Sequence, residues 1–494
     1  MDAAAAQTLF LAGCLSCLLF FFIRRTVHQR GNLPPGPTPL PILGNLLQID
    51  TDGTGKALMK MSEKYGPVFK LYFGPEMRVV LCGYDVIKEA LIDHAEVFSE
   101  RGKMPTFDQV FHGLGVNFSN GENWLQMRRF SIMTLRDFGM GKRGIEERIQ
   151  EEAQCLVEVF RKTKGLPFDP TYFFSQATSN VICSIVFGDR FDYKDEEFCG
   201  LLQMMNESLF LISTIWGQLY DMFPSIMKLL PGPHNRIGGF LGNIEEYVLK
   251  KIKHNQETLD PNNPRDFIDS FLIKMEQEKE NSSSYFHMKN LTATVLGIFI
   301  AGTETLSTTL RYGMLILLKY PEIEEKIHEE IDCVMSQDHV PCLEDRSKMP
   351  YTNAVIHEIQ RFSNLLPLTA MHAVAQDTQF RGFTIPKGTQ VIPVLQSVLW
   401  DPVQFSDPEN FNPGHFLDEN GGFKKKDAFM PFGTGKRICM GEGLARMETF
   451  LFLVSILQHF TLKSTRHPKD IDISPVICNF FTYPRVYELM LIPR

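Results

Sequence analysis

Positive charge is in short supply in this chain. Its 50 Lys and Arg stand against 58 Asp and Glu, a formal net charge of −8, so the broad basic surface of a nucleic-acid binder is missing. Cysteine is sparse, 10 in 494 residues: too few for a disulfide scaffold, and suited to a reducing compartment. No internal repeat is visible, and past residue 50 no linker is long enough to separate a pair of domains. No glycine-rich dinucleotide fingerprint follows a strand-like run, so the chain brings no nucleotide-binding module of its own. What it has in abundance is phenylalanine, 40 residues, which suggests a large apolar core with room for an apolar cavity.

Basic residues are also absent ahead of the first apolar run. Residues 3–23 are apolar apart from Gln7, Thr8 and Ser16, and only Asp2 is charged before them. A helix of that length spans about 31 Å, the thickness of a bilayer core. A cleaved signal peptide would want positive charge in front. Here it follows, as Arg24, Arg25, His28 and Arg30, which predicts an uncleaved anchor with everything after it on the cytosolic side. The expected division is an anchor over 1–24, a basic and proline-rich hinge over 25–50 and one domain over 51–494. Cys14 and Cys17 spell CxxC within the anchor, where they serve as small apolar filler. The sequons at Asn117, Asn206, Asn281 and Asn290 should then stay bare.

Prolines at 34, 35, 37, 39 and 41 predict a stiff, extended segment. Beyond it helical periodicity dominates, at 144–160, 245–256, 322–335 and 351–362. Short β-like runs at 68–73 and 77–81 join through Gly74 and Pro75, and others fall at 379–385 and 390–393. Residues 291–318 carry only Glu304 and Arg311 as charges, but their many threonines predict a core helix rather than a second span. The fold class is mainly α with a smaller β part (α+β), a single large domain.

The chemistry concentrates near the C-terminus, in FGTGKRICMG at 432–441. Gly433 and Gly435 allow a tight turn, and Gly441 leaves room for a bulky ligand against the chain. A helix is expected over 442–460, so Cys439 precedes a helix N-terminus and lies two residues from Arg437. Both features favour thiolate over thiol. Backbone N–H groups there can tune a sulfur donor. With no His or Asp partner nearby, a nucleophilic role is the weaker reading.

This segment resembles the haem-binding loop of the cytochrome P-450 haem-thiolate monooxygenases, F-G-x-G-x-R-x-C-x-G, with every fixed position filled. The resemblance covers essentially the whole chain and is closest to the vertebrate microsomal branch called family two. It implies haem b, with Cys439 as the axial thiolate ligand of its iron. AGTET at 301–305 resembles the oxygen-activation stretch, and implies that Glu304 and Thr305 deliver the protons needed to split O2. Gly302 would relieve crowding beside them. Glu358 and Arg361 resemble the family's E-x-x-R pair, completed by a meander residue that is His415 here where Arg is common. Trp124 and Arg128 resemble a W-x-x-x-R pair reaching the haem propionates. Arg101, His372 and Arg437 look like the other propionate contacts, although many relatives have Pro where Met371 stands. Matching positions assign the substrate wall to Phe107, Phe111, Phe118, Phe210, Ile298, Phe299, Ala301, Leu366, Leu368 and Phe480.

The resemblance further implies lipophilic substrates (xenobiotics, steroids or fatty acids), electrons from an NADPH-cytochrome reductase, with a b-type cytochrome as a second donor, and residence in the endoplasmic reticulum membrane. Arg128, Arg129, Arg136, Lys142, Arg143, Lys436 and Arg446 form the expected dock for the reductase. Two other readings remain at this point: a haem-thiolate isomerase or dehydratase, and a membrane-tethered haem sensor without turnover. The Glu304–Thr305 pair counts against both.

Overall fold

The computed structural model describes residues 13, 32–49, 53–139 and 143–494. The expected anchor over 1–24 and the basic cluster behind it lie, Gly13 apart, outside the described residues, as does Lys142. The proline segment runs extended beside the first strand: Lys70 donates its N–H to the Pro35 carbonyl at 2.7 Å, and a Cβ on Gly36 would collide with Lys70 O.

Strands β1 (Val68–Phe73) and β2 (Glu76–Cys82) form the predicted hairpin around Gly74, whose φ is 58°. Strand β3 is Glu100–Arg101. The helices that frame the site follow: α1 (Gly121–Asp137), α2 (Arg143–Arg161), α3 (Thr171–Val186), α4 (Glu196–Ser213), α5 (Asn235–Thr258), α6 (Met288–Lys319) and α7 (Pro350–Ser363). Strands β4 (His372–Ala373) and β5 (Gln390–Val394) precede the last helix, α8 (Glu442–His459). The main sheet has the order β1-β2-β5-β4-β3, parallel only between β2 and β5. This is the mainly helical architecture with a smaller β part that the periodicity predicts.

Where local signals compete, the boundaries move. The single run expected over 379–385 is a hairpin, Thr378–Phe380 with Phe383–Ile385, because Arg381 and Gly382 both take positive φ. Ile215–Met222 and Pro224–Met227 are separate helices, because Pro224 has no N–H with which to continue the first.

Helix α6 decides the interior. Among the described residues it alone is long and apolar enough to cross a membrane, yet 83% of its most apolar window is buried. It packs against α3, α5 and α8 within one apolar cluster. Its threonines do not disturb that core, because Thr292, Thr303 and Thr309 each donate to the carbonyl one turn back. Three residues at its middle break the buried run: Ala301 is exposed, and Gly302 and Thr305 are half-exposed.

Candidate functional site

The turn before α8 is built by glycine. Gly433 and Gly435 have φ of 74° and 73°, and a Cβ on Gly435 would meet Leu91 O at 1.9 Å. Cys439 donates its N–H to Phe432 O at 3.0 Å, closing the loop. The backbone N–H groups of Gly441 and Glu442 point at its sulfur. A Cβ on Gly441 would stand 3.9 Å from Sγ.

The electrostatics at Cys439 differ from the expectation in two ways. The cation that acts on the sulfur is Arg128 rather than Arg437, and Arg128 also donates to the Ile438 carbonyl at 2.6 Å. Cys439 is exposed at the surface of the notch, yet the protein crowded around it, helped by the Glu442 carboxylate, outweighs both N–H groups and Arg128 and raises the thiol above its ordinary range. A bound cation on the sulfur would reverse that balance.

Sheet register brings the other basic residues together. Arg101 on β3 pairs directly with His372 on β4, so two residues 271 positions apart become neighbours. Met371 keeps that pairing, since its carbonyl accepts from Gly102 N at 2.9 Å. Arg437 lies 3.8 Å over the Trp124 ring and donates to Ser99 O and Ser119 O. Burial, and repulsion from Arg101 and Arg128, lower Arg437 to about 8; Glu100 opposes the shift. Burial and Arg128 lower Arg101 to about 10. Burial, with Arg101, pushes His372 down to about 3, while its Nδ1 donates to Phe98 O at 2.7 Å.

Trp124 Nε1 and Arg437 Nη1 are buried with no hydrogen-bond acceptor among the described residues. Buried donors of this kind ordinarily find partners. Two orphan N–H groups beside three crowded guanidiniums suit an anion with more than one carboxylate, next to a sulfur that a metal ion would hold as thiolate. Haem, with an iron and two propionates, fits this donor set.

On α6 the face bearing Ile298, Ala301 and Thr305 turns toward the exposed notch. Thr305 Oγ1 donates to Ala301 O at 2.7 Å, the helical back-bond that threonine commonly makes. Glu304 points elsewhere, toward α4, where Asn206 donates to it at 2.7 Å; Thr308, one turn further along α6, donates at 3.2 Å. Burial raises its carboxyl to about 7, with Arg311 opposing. Asn206, read from sequence as a chance sequon, is therefore a partner of the acid; its spacing to Glu304, 98 residues, carries no signal. Gly302 makes room for Ile182 of α3, 2.4 Å from an added Cβ, so helix packing accounts for this glycine.

The aromatic wall is partly assembled. Phe107, Phe111 and Phe118 form a cluster with centroids 4.8–6.2 Å apart, and Phe480 joins at 5.8 Å. Leu366 and Leu368 are half-buried on the strap after α7. Phe299 stands apart from this group. It is fully buried and meets Phe187 at 5.6 Å, because one residue along a helix turns the side chain about 100° away from Ile298. Phe210 is exposed and meets Tyr483 instead.

Glu358 and Arg361 make a fully buried two-point ion pair, with both contacts at 2.7 Å. His415 Nδ1 lies 3.1 Å from Glu358, and its Nε2 lies 2.5 Å from Ser406 O. Arg361 also donates to the carbonyls of Leu399, Pro408 and Asn410.

The expected basic dock is thinner than its seven residues suggest. Arg128 holds Ile438, Lys436 pairs with Glu96, and Arg446 is held by Glu442 and His357. Arg129 and Arg136 remain exposed.

Comparison with known proteins agrees with this geometry. Residues 34–490 match the family model for cytochrome P450. The chain is 57% identical to cytochrome P450 2A13 of Homo sapiens over 494 residues, 100% of both chains. It is 58% identical to cytochrome P450 2A4 of Mus musculus over 480 residues, 97% of each. It is 54% identical to cytochrome P450 2G1 of Oryctolagus cuniculus over 494 residues, 100% of both.

Proposed function

The chain belongs to the cytochrome P450 family, and from that premise we propose that it oxidises lipophilic small molecules at the endoplasmic reticulum membrane with electrons from an NADPH-cytochrome reductase. Members of the family bind haem iron and take electrons from NADPH through a reductase, and this chain is a monooxygenase of the oxidoreductase class. Thiolate-ligated haem supplies O2 activation, by electron donation from sulfur to iron.

Within that frame the residues divide the work. Cys439 would hold the haem iron through its sulfur, aimed by its loop and by the N–H groups of Gly441 and Glu442. Trp124, Arg128, Arg101 and Arg437 would hold the propionates, with His372, the register partner of Arg101, as the remaining contact. Ala301 leaves the middle of α6 small and open beside Ile298, so a substrate can lie against Thr305. The phenylalanine cluster excludes water and gives loose apolar recognition. Glu304, raised to about 7 by burial, would be the proton store, and Thr305 the hydroxyl on the open face of α6 that passes protons on. Thr305 can accept a hydrogen bond while it donates to Ala301 O. Glu358, Arg361 and His415 are structural. The 1–24 anchor with a cytosolic domain belongs to the same proposal, as does the exposed pair Arg129 and Arg136 as the remaining dock for an acidic reductase.

The observation that carries this reading is the pair of orphan buried donors, Trp124 Nε1 and Arg437 Nη1, beside the Cys439 loop. The test is spectroscopic. The reduced carbon-monoxide adduct should absorb at the wavelength that gives the family its name. Cys439→His should move the band to the position of imidazole-ligated haem and abolish turnover; an unshifted band removes Cys439 from the iron. NADPH consumption with purified reductase separates a monooxygenase from an isomerase or a sensor.

A further inference from the structure

Arg78 occupies a position on β2 that the pleat reserves for an apolar residue. Val79 and Leu81 face one apolar cluster, while Val80 and Cys82 face a second, with Phe73, Met222 and Ile392. The two-residue period puts Arg78 on the second face. It is 4% exposed, and its guanidinium lies 4.6 Å over the Phe73 ring. Its Nε is buried without an acceptor among the described residues. The Glu76 carboxylate is 3.8 Å away, beyond hydrogen-bond distance. Asp221, a second opposing charge, is held by the N–H and hydroxyl of Thr106 at 2.8 and 3.3 Å.

Arg78 and Asp221 line a pocket of about 70 Å³ together with Leu368, Met371 and Phe480. Leu368 and Phe480 belong to the proposed substrate wall, so the pocket adjoins that cavity, and the inference rests on reading it as the substrate site. Charge here is already offset by two carboxylates, and a third in the pocket would meet both. Hydrogen bonding is not offset, because a guanidinium carries five N–H donors in a fixed fork. A neutral oxygen acceptor satisfies the donors without adding like charge. We propose that this pocket is a head-group subsite for an uncharged carbonyl on an otherwise apolar substrate, with Arg78 as its donor.

The experiment titrates full-length, haem-loaded protein and reads the ligand-induced change in haem absorbance. The probes are 2-undecanone, the isosteric alkene 2-methyl-1-undecene, and undecanoate. Arg78→Met should weaken the ketone by about ten-fold or more and leave the alkene within about two-fold, the size expected for losing a hydrogen bond from a charged donor. Equal changes for ketone and alkene would overturn the subsite, as would tighter binding of undecanoate than of the ketone to the unaltered protein. If Arg78→Met does not load haem, the unaltered protein decides: corrected for octanol–water partition, the ketone must still bind more tightly than the alkene. No response to any probe would overturn the reading of the cavity itself, and the subsite with it.

Discussion

Glu304 is a carboxyl enclosed by protein, and its position on the pH scale follows from that. Burial raises it to about 7, so the folded chain holds this proton more tightly than the unfolded chain does. Its contribution to stability is therefore full below the ordinary carboxyl range, near 4.5, and is lost as pH rises from there through about 7. For catalysis the same shift makes Glu304 an acid that is still partly protonated at neutral pH. Product formed per NADPH should then fall as pH rises above about 7, and Glu304→Gln should flatten that dependence. An identical slope in the variant would take Glu304 out of the proton path. Thr305→Ala suits a helix and trims only a hydroxyl and a methyl from a half-exposed position, so folding and haem loading should survive. Coupling should drop on the order of ten-fold, with hydrogen peroxide released in place of product. Measuring NADPH, peroxide and product together separates this from weak substrate binding, which lowers all three.

Elements meet the membrane question more directly than single residues do. The segments Ile215–Met222 and Pro224–Met227 leave Ile215, Trp216, Ile226, Leu229 and Leu230 exposed, Leu229 by 85%. Trp216 is braced by a stacked His234 at 5.6 Å, so the surface is ordered rather than frayed. An exposed apolar patch of this kind suits the lipid interface. Removing residues 2–23 should leave a haem-loaded protein that still binds vesicles, because this second contact remains. Ile226→Asp with Leu229→Asp in that shortened chain should weaken vesicle binding by about ten-fold or more, from the burial energy of two aliphatic side chains. Cosedimentation measures it, and undiminished binding would leave the patch without this role. Periodicity made the helices over 144–160, 245–256, 322–335 and 351–362 legible. It did not reveal the hairpin at Arg381–Gly382, because a non-glycine residue with positive φ, here Arg381, has no sequence signature of its own.

Across the whole molecule, what the sequence disclosed was local chemistry: the glycines and cysteine of the 432–441 loop, the threonine-rich core helix, the E-x-x-R spacing. What it could not disclose were pairings that only the folded chain makes. The Arg101–His372 register partnership, the Asn206–Glu304 bond and the carbonyls that receive Arg361 join residues tens to hundreds of positions apart. The direction of the Cys439 shift was equally hidden, since desolvation depends on everything packed around the sulfur. Arg361 shows how far such a pairing reaches. It is wholly buried, forks onto Glu358, and donates to Leu399, Pro408 and Asn410, so one side chain fastens α7 to the meander that leads to the Cys439 loop. Removing one partner of a buried ion pair leaves the other charge unpaired, at a cost of about 3–5 kcal/mol, a large share of the roughly 5–15 kcal/mol that ordinary folds possess. Arg361→Leu should therefore lose both thermal stability and haem occupancy. Glu358→Leu combined with Arg361→Leu removes both charges and should cost less than the two single changes added together, the three carbonyls still being stranded. His415→Arg restores the residue common in the family at a site where Glu358 and Ser406 O already accept, and should retain haem through a thermal ramp at least as well as the unaltered chain. Haem absorbance followed alongside circular dichroism checks all three. Additive losses in the double change would show that Glu358 and Arg361 act independently, with the meander held by the carbonyl contacts alone.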